Sequence, residues 1–337
     1  MRNFVTFHVR VWSVANDSHR NTVTEINRNL SSNLRLCGPA VLFNKENEEL
    51  VRKIATILLA IITKRHQCQQ DLGDEEAEVD DALLQESSEY DWLVVDTAME
   101  VLIGLSAALG ESFGKLWTMF EKPVLKYASS QEATERSTAV GTIAECVGNM
   151  GKGCTPYTAG LLKIILHRLG DEDLDVKSNA VYAAGLLCEM SEDEKEILGS
   201  FNTILNKLEP MLEPGQNGRL LDNAAGCVSR MIKKYPTKVP LQLVLPALVE
   251  ILPAREDYEE NKPIFQCIVT LCKPLPISHS SLGAFANLLT DQHGEPTIQQ
   301  LTPQLMPVFQ KVLGEPEDQL DDETRAQVVE LVKHLRS

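Results

Sequence analysis

The side chains in this sequence best suited to chemistry are carboxylates, and the chemistry they offer is the capture of cations. Residues 71–91 hold ten carboxylates and no lysine or arginine, among them Asp74, Glu75, Glu76, Glu78, Asp80 and Asp81. A block of like charge repels itself and stays open in solution. It therefore reads as an acidic loop at about residues 67–90, either a solvated linker or an electrostatic lure for a basic partner. A lure of this kind weakens with salt, because the Debye length is only about 8 Å at physiological ionic strength. A second polar set recurs farther along: Asn179 and Tyr182, then Asp222 and Asn223, then Asp257, Glu259 and Glu260. Paired carboxylates can hold a lysine ammonium through charge-assisted hydrogen bonds, while asparagine and tyrosine can bond to and stack on an extended basic peptide. For Asp175 and Asp257 a plainer role also fits, since an acid at a helix N-terminus is favourable by about 0.3–1 kcal/mol.

Other chemistries lack their residues. The sequence has no glycine-rich phosphate loop, no Gly-x-Ser-x-Gly and no His-Glu-x-x-His, the spacings that nucleotide binding, acyl transfer and zinc hydrolysis require. His66, His167, His279, His293 and His334 are scattered. The eight cysteines (37, 68, 146, 154, 188, 227, 267 and 272) form no Cys-x-x-Cys pair, so buried thiols in a reducing compartment are expected rather than a zinc site. Neither an enzyme nor a cofactor is expected. The net charge of −16 argues against direct nucleic-acid binding, which needs clustered lysine and arginine, and favours a basic partner. No apolar run reaches the roughly 18 residues that span a bilayer, and the opening MRNFVTFHVRVW lacks the apolar core of a signal peptide. The expectation is a soluble intracellular protein with no membrane insertion.

The elements that would position these residues follow from repetition. Ala98, Ala139, Ala180 and Ala224 occupy equivalent places in VVDTAMEV, ERSTAVGT, VKSNAVYA and LLDNAAGC, at shifts of 41, 41 and 44 residues. A further shift of 38 carries Asn223 to Asn261. Periods near 40 belong to stacked helix pairs. Each unit has one grammar: a first helix, a polar turn, a second helix. TAGLLKIILHRL (158–169) leads through Gly170-Asp171-Glu172-Asp173 into 174–190, and FNTILNKLEPML (201–212) leads through Pro214-Gly215 into 218–234. Leu161, Leu162, Ile165, Leu166 and Leu169 make a helical stripe. Pro246 is expected to kink its helix. Aromatics are only 5%, and leucine, alanine, valine and isoleucine carry the packing. The fold class is all-α: an α-solenoid of about six HEAT-type antiparallel pairs in a right-handed superhelix, over residues 41–337, ending with a short helix at 280–290 and the pair 299–313 and 321–336. Residues 1–40 are polar, rich in asparagine and serine, and read as an atypical, disordered or extraneous lead.

The segments KRHQCQQDLGDEE, SSEYDWLVVDTA, ERSTAVGTIAECV and VKSNAVYAAGLLCE resemble the C-terminal region of the karyopherin-β nuclear import receptors, of the importin-4 type in its fungal form, over about residues 45–337. The resemblance implies a HEAT-repeat receptor shuttling between cytoplasm and nucleus, of which this chain is one end. It implies basic cargo such as core histones and ribosomal proteins, nucleoporins as further candidate partners, and release by Ran-GTP in the full-length receptor only. It also implies a lysine pocket on the concave face at Asn223, Glu259 and Glu260, with Tyr182 nearby. A HEAT-repeat scaffold subunit holding other folded proteins is the alternative.

Overall fold

A computed structural model describes residue 11 and residues 20–42, 48–69, 81–213, 215–272, 295–314 and 319–336. The described residues form helices and no strand. The chain divides into two compact units, residues 1–164 with 190–194, and residues 165–189 with 195–337.

In the first unit, α1 (Arg20–Leu42), α3 (Asp81–Leu109) and α5 (Ala133–Met150) lie in one row, α1 against α3 and α3 against α5. The helices α2 (Glu48–Ile62) and α4 (Gly114–Tyr127) pack on α3 and α5 respectively and on each other. Small residues let the row close up: Ala98 and Ala139 are fully buried, and a Cβ on Gly104 would lie 2.9 Å from the carbonyl oxygen of Ser31. Polar ties cross the row. Asn27 donates to Thr97 Oγ1 at 3.0 Å, Ser31 Oγ donates to the Glu100 carbonyl at 2.9 Å, and Thr138 donates to Asp96 at 2.8 Å. Gly110 and Gly151, both at φ +53°, stop α3 and α5 in the left-handed region that glycine tolerates.

The second unit repeats the pattern. α7 (Leu174–Met190, its residues to 189), α9 (Gly218–Lys234), α11 (Asn261–Cys272) and α13 (Asp322–Arg336) carry the polar ties, while α8 (Glu194–Leu208), α10 (Leu241–Ile251) and α12 (Glu295–Gly314) are their partners. The helix α6 (Thr158–Arg168) runs across the division between the units. The starts of the second helices are capped as the polar turns predict: Asp173 accepts the Val176 N–H at 2.9 Å, Asn217 the Leu220 N–H at 3.1 Å, and Asp321 the Thr324 N–H at 2.7 Å. Helix α10 continues through Pro246.

Three expectations change. Residues 20–40 are no extraneous lead: they form α1, which buries Val23, Ile26, Leu30 and Leu34 against α3. These four apolar residues sit at helical spacing among asparagines and serines, and that polar majority hid the stripe. Residues 1–10 and 12–19 lie outside the described residues, as do 280–290 and the acidic residues Asp74, Glu75, Glu76, Glu78 and Asp80. Second, the acidic run does not stay open throughout, because Asp81 begins α3. Alanine, leucine and glutamine in DALLQE favour helix. Third, the stretch Asp91–Tyr127 contains an 18-residue window apolar enough to cross a membrane, with mean hydropathy 1.7. Within that window 67% is buried in the protein, so its apolar surface already has a protein environment.

Candidate functional site

The predicted cargo-binding residues all fall in the second unit, on α7, α9 and the turn 253–260 that leads into α11. The structure brings them together but sorts them into two kinds.

Asp222, Asn223 and Glu260 are buried, each at 2% exposure or less. Asp222 Oδ2 accepts the backbone N–H groups of Arg255, Glu256 and Asp257 at 2.9, 2.8 and 2.9 Å. One carboxylate oxygen thus pins three consecutive residues of the turn. Asn223 donates to Ser178 Oγ at 2.9 Å, tying α9 to α7, while its Oδ1 is buried without a hydrogen-bond partner. Glu260 meets Arg230 of α9 in a two-pronged ion pair, at 2.8 and 2.5 Å. Its oxygen lies on Gly226, where a Cβ would collide with it. Arg230 also stands 3.5 Å from Glu189 and 5.3 Å from the centre of the Tyr182 ring, and Lys233 bonds Glu189 at 2.5 Å. Burial pushes the Glu260 carboxyl up, and the adjacent Arg230 opposes that shift; two well-formed hydrogen bonds from a guanidinium favour the charged pair.

The expectation that Asp222, Asn223 and Glu260 meet a ligand directly is therefore corrected. Their polar atoms face the protein, and they form the frame of the site. The residues with open surface are Glu259, exposed, and Asn179, Tyr182 and Asp257, half-buried. Asn179 Oδ1 accepts from Arg219 Nη2 at 3.1 Å, and Arg219 lies 3.7 Å from Asp175. The Arg219 N–H in turn donates to Glu256 at 3.0 Å. Sequence reasoning missed Arg230, Arg219 and Glu189. The signal for Arg230 was present: it stands seven residues after Asn223, two helical turns on, and so on the same face of α9. No group of three metal-ligating side chains occurs among the described residues. Cys68, Cys146, Cys154, Cys188, Cys227 and Cys267 are buried, and burial pushes the thiols of Cys146 and Cys188 up to about 12, away from reactivity.

Residues 19–208 match the family model described as importin subunit beta-1-like, TPR repeats. The chain belongs to the importin-β-like family. This importin-β-like chain is 31% identical to the probable importin subunit beta-4 of Schizosaccharomyces pombe, over 84% of its own length and 25% of the relative's. It is also 31% identical to importin-4 of Homo sapiens, over 74% of its own length and 22% of the relative's. It thus spans about a quarter of the length of the curated relatives it matches. Among solved structures, importin β aligns with TM-score 0.65 at 12% identity, covering 99% of this chain and 37% of that one. Kap95p, whose binding induces the switch loops of RanGDP to adopt the GTP-bound conformation, aligns with TM-score 0.50 at 16% identity, covering 98% of this chain and 36% of that one. At these identities the two structures support the solenoid fold alone. The family match begins at residue 19, so it takes in α1.

Proposed function

We propose that this importin-β-like chain is a cargo-binding part of a nuclear import receptor, moving between cytoplasm and nucleus, and that it holds lysine-rich segments such as histone tails or ribosomal-protein signals. It acts by binding and not by catalysis. Cargo release by Ran-GTP belongs, on this reading, to the full-length receptor. The family supports the transport role. The pinned turn carries the assignment of the site: Asp222 fixes the backbone at 255–257, so Asp257 and exposed Glu259 are held in place before any ligand arrives. Preorganised acids pay little ordering entropy on binding, and a lysine ammonium between them, with Tyr182 and Asn179 alongside, is the ligand whose charge matches.

Glu259→Ala is expected to weaken a lysine-rich peptide several-fold with unchanged helicity by circular dichroism. Asp222→Asn is expected to weaken it as well, by loosening the turn. An unchanged dissociation constant in Glu259→Ala would sink the site assignment. The scaffold reading draws on one observation, the 76% exposure of Leu243 on α10. A scaffold contact through such apolar surface would be nearly indifferent to salt, whereas lysine capture by exposed acids falls with it.

A further inference from the structure

Among the described residues, one helix face departs locally from the acidic character of this chain. In α4, Lys115, Met119, Lys122 and Lys126 are all exposed. Their spacing of four, three and four residues places them within about 60° of one another around the helix, a single narrow stripe about 16 Å long. The opposite side of α4 carries buried Trp117, Phe120 and Val124, which fixes the stripe outward. Lys115, Lys122 and Lys126 make no ion pair among the described residues, and Glu121 falls about 120° away around the helix, with its carboxylate over Gly160 of α6. In a sequence with 48 acidic and 32 basic residues, three neighbouring lysines with no ion pair among the described residues are available to a ligand, with Glu111 the acid nearest in sequence, four residues before Lys115.

Two further features belong to the same place. Pro123 lies inside α4 and brings no N–H to the carbonyl of Met119 four residues earlier, so the middle of the stripe has a backbone acceptor without its helical donor. At the N-terminal end, Lys115 borders a cavity of about 440 Å³ lined also by Thr155, Tyr157, Lys152 and two carboxylates, Glu111 and Glu192, with Lys152 standing 3.8 Å from Glu111. The cavity walls are closely packed. A Cβ on Gly114 would lie 2.6 Å from the Gly153 carbonyl oxygen, one on Gly153 would lie 2.7 Å from that of Glu111, and the Tyr157 hydroxyl donates to the Gly114 carbonyl at 2.5 Å.

We infer that the outward stripe of α4 is a docking surface for an acidic, extended segment of a partner protein, whose carboxylates lie along the lysines and away from the Glu111 and Glu192 side of the cavity. The lysines would pair with its carboxylates, the Met119 carbonyl would accept a main-chain N–H, and Met119 would meet an apolar residue. A nucleic acid fits less well. A chain of net charge −16 repels a polyanion at range, and three lysines neutralise few phosphates. The surface lies in the first unit and takes the opposite charge from the proposed cargo site, so the two assignments stand or fall separately.

The test is fluorescence anisotropy on the full chain. The probe is a labelled 12-residue peptide with glutamate at every third position and one central leucine. Controls are its glutamine counterpart, an oligonucleotide of equal length and anionic vesicles. The expected result is saturable binding of the glutamate peptide only, weakened by salt. Lys115→Glu/Lys122→Glu/Lys126→Glu should reduce it at least about tenfold, as expected from losing three exposed pairs and adding repulsion. Lys53→Glu, far along the sequence and already paired with Glu49, and Glu259→Ala should leave it unchanged. All five substitutions are on exposed residues, and thermal melts would confirm folding. No binding of the glutamate peptide, equal binding of the glutamine peptide, tighter binding of oligonucleotide or vesicles, or indifference to the triple reversal would each overturn the inference.

Discussion

Glu260 shows how charge and burial separate at the residue scale. From the sequence it stands beside Glu259 as one of two equivalent carboxylates. In the structure the peptide turn sends Glu259 to solvent and Glu260 inward, where Arg230 holds it by two hydrogen bonds. No sequence pattern distinguishes two adjacent glutamates in a turn that is pinned by an aspartate more than thirty positions earlier. Removing one partner of a buried ion pair strands the other charge and typically costs about 3–5 kcal/mol. Glu260→Ala is therefore expected to destabilise the protein by about 3 kcal/mol, the lower end, because Glu189 remains 3.5 Å from Arg230. Chemical denaturation checks this, and a loss below about 1 kcal/mol would show that the pair is not held as described. Gly226→Ala should reproduce part of the loss, since the new methyl would occupy the place of the Glu260 oxygen.

At the scale of elements, helix ends were more legible than helix surroundings. Asp173, Asn217 and the turn glycines announce their helices locally, because a cap bonds within three residues of itself. Helix α1 was not legible for the opposite reason: its four buried residues count as a stripe only against the face of α3, some seventy positions away. The cap of α13 also carries a charge. Lys262 at 2.6 Å and the Thr324 N–H and hydroxyl hold the Asp321 carboxyl down at about 2, from an ordinary 3.8. A depressed carboxyl contributes stability that is full above its unfolded pKa and is lost as pH falls through the folded one. Asp321 should thus support α13 above about pH 4 and cease to do so as pH falls toward 2. The pair is over a third exposed on both sides, so screening holds the effect below about 1 kcal/mol. In urea titrations at pH 6 and pH 3, Asp321→Asn is expected to lower the midpoint at pH 6 and to matter less at pH 3. An equal effect at both values would mean that the charge contributes nothing.

At the scale of the whole molecule, repetition made the architecture readable. The alanines at 98, 139, 180 and 224 mark one buried position per unit, and a period near 40 selects stacked helix pairs whatever the identity of each residue. Family membership agrees with that reading. The partner is less legible, because binding depends on which of 48 acidic side chains fold inward and which remain open, and composition fixes only their sum. That sum still makes a prediction, since exposed acids attract a basic ligand through a screened field. Calorimetry of this chain with an unmodified lysine-rich histone-tail peptide, at low and physiological salt and beside a lysine-acetylated copy, tests the central claim most directly. Saturable binding that weakens with salt and is largely lost on acetylation is the predicted result; no binding, or binding indifferent to both, would contradict it.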